Sequence, residues 1–210
     1  ISSAASDVYK RQIKNIEKLG INEDVINAYE TSKTVLTGLG HKLIEVDFSE
    51  LSSGICSYYV IAPAECSSNL SRFDGVKYGY RSEGEKDIAN LYMNTRSDGF
   101  GDEVKKRILI GTHVLSAGFY DAYYLQAQKV RRMIKVKFEN FFKDVDLIFM
   151  PTTLDQAFEK NRKSDDPNRM YKEDLLTIPA NLAGLPAISF PNGFKNNLPI
   201  GGQLIGNYFG

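Results

Sequence analysis

Arg107 is the candidate whose position on a helix raises a chemical question, with a structural salt bridge the favoured answer from spacing alone. On a helix opening at Asp102, the apolar stripe is Val104, Ile108, Gly111 and Leu115. Arg107 falls at the edge of that stripe, about 60° from Val104 at 3.6 residues per turn. Lys105 and Lys106 point further away. A guanidinium at the margin of a buried face needs an anionic partner. A structural Asp or Glu could supply it, and so could an anionic ligand. Other polar residues have plain structural readings at this level. Tyr58 beside Tyr59 fits core aromatic packing with one hydroxyl reaching solvent. Asp174 fits a cap for the segment that opens with Leu175-Leu176. His41 and His113 are isolated and receive no function. Lys129, Arg131 and Arg132 form a basic cluster that reads as a solvated helix face.

The elements that must hold these residues alternate between helix and strand. Asn22 can cap a helix with apolar positions Val25, Ala28, Tyr29, Ser32, Val35, Leu36 and Leu39, ended by Gly40. Leu43 to Phe48 reads as a strand. Cys56 to Leu70 reads as a helix disturbed by Pro63, which has no N–H to donate. Gly75 to Gly99 is polar and Gly/Ser-rich, a surface loop with one short helix. Asp102 opens a helix of about a dozen residues that Gly118 interrupts. Tyr120 to Lys143 is a second, longer helix, and Asp146 to Met150 a short strand stopped by Pro151. Leu154 to Asp174 is loop-like. Pro179 to Ala183 is a short helix ended by Gly184, followed by strands at Ala187 to Phe190 and Gln203 to Ile205. Helices between strands imply an α/β layer with a mixed sheet, and no linker or repeat divides it.

Composition excludes several classes of function. The 210 residues carry 26 basic and 26 acidic side chains, so no global field attracts nucleic acid or an acidic membrane. Apolar runs fall far short of the ~20 residues of a membrane helix. Cys56 and Cys66 have no metal-site spacing and read as buried thiols in a reducing compartment. No metal site is expected. Asn69-Leu70-Ser71 matches a glycosylation sequon, a chance match in a cytosolic chain.

Four stretches together carry a family resemblance. They are YYVIAPAECSSNLSRFDGVKYGYR from Tyr58 to Arg81, GFGDEVKKR from Gly99 to Arg107, YDAYYLQAQKVRR from Tyr120 to Arg132, and LLTIPANLAGLPAISFP from Leu175 to Pro191. The chain resembles the A subunits of tRNA-dependent amidotransferases, which belong to the amidase-signature hydrolases. The resemblance runs from about Ile13 to the last residue. It implies the α/β amidase-signature fold, a mixed central sheet covered by helices. It also implies a parent enzyme that is the glutaminase component of a glutamine-hydrolysing glutamyl-tRNA(Gln) amidotransferase. Such an enzyme converts Glu-tRNA(Gln) to Gln-tRNA(Gln), or Asp-tRNA(Asn) to Asn-tRNA(Asn).

That family works through a Ser–cis-Ser–Lys arrangement in which one serine attacks the carboxamide carbon, a second relays the proton and lysine is the base. Its nucleophile lies in a GGSSGG-like loop, and no such run occurs here. Ser52-Ser53-Gly54 is the nearest look-alike. It lacks flanking glycines that would let backbone N–H groups approach an oxyanion, and it precedes a helix, where Ser is a common cap. No catalytic residue is therefore expected in this chain. Tyr58, Arg107 and Asp174 match positions with which the family holds free glutamine. An arginine can pair with the α-carboxylate through two parallel bonds, an aspartate can accept from the α-ammonium, and a tyrosine hydroxyl adds a directional bond.

The resemblance further implies B and C subunits as partners, with charged tRNA held mainly by the B subunit. ATP and Mg are used by the partner, and no cofactor is bound by this chain. A cytoplasmic, bacterial-like location follows, with an organellar one also open. Residues 1–12 are expected to be a non-native, adapter-derived segment, because Ser2 to Gln12 (SSAASDVYKRQ) resembles a translated sequencing adapter. Residues 13–210 are then the C-terminal part of a single amidase-like domain, truncated at both ends. The chain departs from the family pattern at Leu154, where proline is frequent, at Asn192, where cysteine is common, and at Gly202, where leucine is usual. Two other readings remain at this stage: the C-terminal part of another amidase-family hydrolase, and a non-catalytic fragment.

Overall fold

The computed structural model describes residues 9–14, 19–47, 51–84, 87–158 and 172–209. Of the stretches singled out above, residues 1–8, Phe48, residues 85–86, residues 159–171 and the last residue lie outside the described residues. The local signals act where they are written. Asn22 Oδ1 accepts the Asp24 amide at 2.9 Å and starts helix α1 (Glu23–Gly38). Glu23 and Asp24 in its first turn complement the helix dipole. The chain turns at Gly40 with φ +88°. Val25 and Tyr29 are 1% exposed, whereas Val35 and Leu39, at the far end of the same stripe, stand in solvent.

Strand β1 (Tyr9–Lys14) pairs in parallel with β2 (Lys42–Asp47) on one side and β3 (Leu147–Pro151) on the other. Residues 9–12, set aside on sequence grounds, thus form part of a strand. Strand β5 (Leu198–Gly206) runs antiparallel to β3 and to β4 (Ala187–Lys195). The five-stranded mixed sheet has the order β2-β1-β3-β5-β4. Both hairpin strands are longer than the apolar runs suggest. Asn196 and Asn197 take φ of +50° and +62°, and they close a two-residue loop between Lys195 and Leu198. Left-handed geometry at both loop positions suits the twist of a hairpin, and asparagine tolerates it.

Helix α1 lies on one face of this sheet. The Tyr29 ring packs 5.0 Å from Phe149, and its hydroxyl donates to the Phe149 carbonyl. Lys195 Nζ reaches Asp24 at 3.0 Å and ties the hairpin to the start of α1. Two departures from the family pattern meet here. A Cβ on Gly202 would stand 3.1 Å from Asn192 Cβ and 3.2 Å from the Phe149 ring. Asn192 occupies the bulge in β4 and pairs with Ser32 on α1. A bulky residue at 202 has no room while Asn192 holds that position.

The helices are α2 (Leu51–Leu70), α3 (Ile88–Gly99), α4 (Asp102–Val114), α5 (Leu125–Phe141) and the short α6 (Ile178–Ala183). Pro63 lies inside α2 without ending it. Asp87 caps α3 by accepting the Asn90 amide at 3.1 Å. The long helix expected from Tyr120 begins instead with a π-helical turn, Tyr120–Tyr124, before α5 proper. Gly118, at φ +90°, separates that turn from α4. Gly184 ends α6 at φ +71°, the left-handed geometry that glycine adopts without strain.

Contacts divide the chain into two compact units. One comprises Ile1–Ile55 and Val130–Gly210 and contains the sheet; the other, Cys56–Lys129, is helical. Neither cysteine is buried as expected: Cys56 is exposed and Cys66 half-buried. The inward face of α2 is carried by Ser57, Ile61 and Ala64, at i, i+4 and i+7, which turns Cys56 outward. No helix among the described residues is long and apolar enough to cross a membrane.

Candidate functional site

Tyr58 and Arg107 both lie in the helical unit, on α2 and α4. These helices approach closely because position 111 has no side chain. A Cβ there would fall 1.9 Å from the Pro63 carbonyl oxygen and 2.7 Å from Ser67 Cβ. The Ser67 and Thr112 hydroxyls, 2.9 Å apart, join the helices beside that contact. The stripe of α4 faces inward as the spacing requires: Gly111 is buried, and Val104, Ile108 and Leu115 are half-buried.

Arg107 itself is exposed. Its Nε lies 3.3 Å from Glu103 Oε1, one turn earlier, and the side chains are 45% and 54% exposed. The anionic partner here is thus a neighbour on the same helix. Exposed pairs at this spacing contribute about 0.3–0.5 kcal/mol, so the guanidinium can change partner at little cost. Tyr58 is half-buried, its ring 5.2 Å from Tyr59 in an edge-on arrangement.

The loop after α2 is held by side chains that bind backbone carbonyls. Arg96 Nη1 donates to Leu70 O at 2.9 Å and to Phe73 O at 3.1 Å, and its guanidinium lies 5.0 Å over the Phe100 ring. Arg81 donates to Gly75 O, and buried Thr95 accepts the Ser82 amide at 3.0 Å. Asp74 Oδ1 accepts the Val76 amide at 2.9 Å. That bond, aided by the Lys77 amide and charge, holds the Asp74 carboxyl below its ordinary value of 3.8.

Asp174 belongs to the sheet unit. It is exposed, and its carbonyl accepts from the Thr177 and Ile178 amides at 3.1 and 3.0 Å, which makes a tight turn into α6. Beside it, a cleft of about 260 Å³ is lined by Gly20, Asn22, Leu154, Asp155, Lys172 and Glu173. Asn22 Nδ2 donates to Asp155 Oδ1 at 3.1 Å in its wall. Gln203, notable in the sequence only for its unusual neighbour, is 3% exposed. Its Nε2 donates to Pro151 O at 3.1 Å and to Leu176 O at 2.9 Å. A glutamine within the apolar run Ile200 to Ile205 was the available signal, since a buried carboxamide needs partners.

The remaining residues singled out by sequence fall as follows. Ser52 and Ser53 lie in the first turns of α2, and a Cβ on the buried Gly54 would meet Ile134, Ile178 and Leu182 at 3.4 to 3.8 Å. The run is part of a packed helix. The basic cluster is not uniformly solvated. Arg131 is half-buried and donates to Leu182 O at 3.1 Å near the end of α6, whereas Lys129 and Arg132 are exposed. A helix C-terminus leaves carbonyls that such a donor satisfies. Among the described residues, no group of three or more His, Cys, Asp or Glu could hold a metal ion.

Comparison with known proteins covers almost all of this framework. The sequence profile of the amidase family matches residues 12–210. The A subunit of the glutamyl-tRNA(Gln) amidotransferase of Hahella chejuensis is 56% identical over 189 residues, 90% of this chain and 39% of that protein. Its counterpart in Coxiella burnetii is 54% identical over 190 residues, with the same coverage. The crystal structure of the A subunit of the Thermotoga maritima glutamyl-tRNA(Gln) amidotransferase matches 97% of this chain and 39% of its own, with TM-score 0.70 and 40% identity. A crystal structure of an amidase at 17% identity has TM-score 0.73 over 97% of this chain and 42% of its own, a likeness of fold. The chain thus spans about two-fifths of the length of the relatives it matches.

Proposed function

This chain belongs to the amidase family, and from that premise we propose that its parent is the glutaminase component of a tRNA-dependent amidotransferase. The observation that carries the reading is the 56% identity, across 90% of the chain, to a protein named as a component of such an enzyme. The parent would hydrolyse the side-chain amide of glutamine to glutamate and ammonia. A partner, using ATP and Mg, would activate Glu on tRNA(Gln), or Asp on tRNA(Asn), and capture that ammonia. B and C subunits complete the assembly, with tRNA held mainly by the B subunit, in a cytoplasmic setting. The serine nucleophile and lysine base would come from the rest of the parent. This chain would supply one wall of the glutamine pocket.

In the parent, Arg107 would take the α-carboxylate, Asp174 the α-ammonium, and the Tyr58 hydroxyl one further polar group of the substrate. The exposed Arg107–Glu103 pair supports this role, because a weak solvated pair is readily exchanged for a bidentate substrate carboxylate.

The test is an assay of the full-length parent with its partner subunits, supplied with glutamine, acetamide or ammonium as nitrogen source. Glutamine and ammonium should both yield amidated tRNA, and acetamide neither ammonia nor product. Efficient acetamide hydrolysis without glutamine turnover would assign the parent to the simple amidases instead. Arg107→Ala should raise KM for glutamine and leave the ammonium route intact, whereas Glu103→Gln should leave both intact. Equal damage to both routes by Arg107→Ala would make the arginine purely structural.

A further inference from the structure

We propose that Gln203 is a positioning residue for Asp174, an inference that rests on the glutamine-pocket reading above. Gln203 lies on β5 directly opposite Met150 of β3, so the sheet ladder sets its backbone. Its side chain is 3% exposed and points into the layer that holds fully buried Leu176. A carboxamide nitrogen has two protons, and both are used here. One goes to Pro151 O, where β3 ends. The other goes to Leu176 O, inside the turn that Asp174 opens.

The consequence follows from connectivity. Asp174 stands two residues before Leu176, and its own carbonyl accepts the Thr177 and Ile178 amides. The turn is therefore rigid within itself. The Leu176 carbonyl bond to Gln203 ties it to the sheet by a directional contact. Apolar packing of Leu175 and Leu176 resists separation of the turn from the sheet, but it is non-directional and constrains sliding less. A planar carboxamide that binds two carbonyls at 2.9 and 3.1 Å fixes both distance and orientation. An ammonium-binding carboxylate needs that accuracy, since a small displacement weakens the bond steeply.

The test uses the full-length parent with its partner subunits. Gln203→Met keeps chain length and apolar bulk and removes both donors. It should raise KM for glutamine roughly tenfold, the effect of losing one well-placed polar contact, with amidation from ammonium unchanged. In an Asp174→Asn background the same substitution should add little, because the group that Gln203 positions is already disabled. Where Gln203→Met fails to fold, Gln203→Asn is read the same way, since its amide nitrogen, one methylene shorter, draws back from both carbonyls. An unchanged KM, a parallel fall in the glutamine and ammonium routes, or full additivity with Asp174→Asn would each overturn the proposal. Wild-type parent that does not turn over glutamine would overturn the functional reading itself.

Discussion

The largest fully buried side chains, Tyr29, Phe138, Phe149, Ile148 and Met150, all belong to the sheet unit. The helical unit has a contact of another kind, a close approach of two helix backbones where Gly111 faces the Pro63 carbonyl. Elsewhere in the unit, Arg96, Arg81 and Thr95 bind loop carbonyls and amides, while Tyr78, Tyr80 and Leu109 remain exposed. The sheet unit is centred on large buried rings and branched side chains, and the helical unit on smaller buried ones such as Ile61, Ala64, Leu91 and Val114 together with that close approach and the polar bonds. The two contacts should fail under opposite substitutions: Phe149 when its side chain shrinks, Gly111 when one is added.

The largest effect should come from Phe149→Ala. Phe149 is 1% exposed and packs against Tyr29 and Phe190, so truncation leaves a cavity worth about 3–5 kcal/mol. Urea denaturation of the full-length parent checks it; a loss under 1 kcal/mol would mean the core repacks freely. Gly111→Ala comes next. An exposed helical Gly→Ala exchange stabilises by about 1 kcal/mol. Here the new methyl meets a backbone carbonyl, and the net should be a loss of about 1–3 kcal/mol. A gain in the same measurement would break the contrast between the units.

Arg96→Met should cost less, about 1 kcal/mol, because the arginine is half-buried and water can replace part of its bonding. Its signature is local: amide exchange should quicken in the 70–74 loop before global unfolding is reached. Unchanged exchange there would remove Arg96 as the loop's anchor. The smallest effect concerns acid. The Asp74 carboxyl is held below 3.8 in the folded chain, so its contribution is present above the unfolded value. That contribution is lost as pH falls through the lower folded value. Asp74→Ala should therefore destabilise slightly at neutral pH, and the gap from wild type should close in acid. A gap that widened in acid would reverse the assigned direction.

Each unit was legible in sequence where local signals act. Asp102 and the Val104–Ile108–Gly111–Leu115 spacing located α4 and the face it buries, since both signals act within a few residues. In the sheet unit, Asn22 and Gly184 marked helix ends for the same reason. Strand β1 went unread because residues 1–12 were expected to be a non-native segment; its place depends on backbone pairing with β2 and β3. The hairpin was cut short because β4 is an edge strand with mostly exposed residues, so burial left no pattern to read. For the candidate site, the residue types came from the family resemblance and not from spacing. Arg107 shows the limit of spacing: the stripe geometry was right, yet an acid one turn away answers the arginine at the surface.

What the sequence determined by itself is therefore local: which segments are helical, where they stop, and which family the motifs belong to. Caps, helical stripes and left-handed glycines act over four residues or fewer, so they are written in contiguous text. The strand order β2-β1-β3-β5-β4 was decided only in three dimensions, as were the Gly111–Pro63 contact and the two carbonyls bound by Gln203. Each joins residues that lie tens of positions apart, and only packing chooses among the many partners a strand edge, a glycine or a buried amide could take.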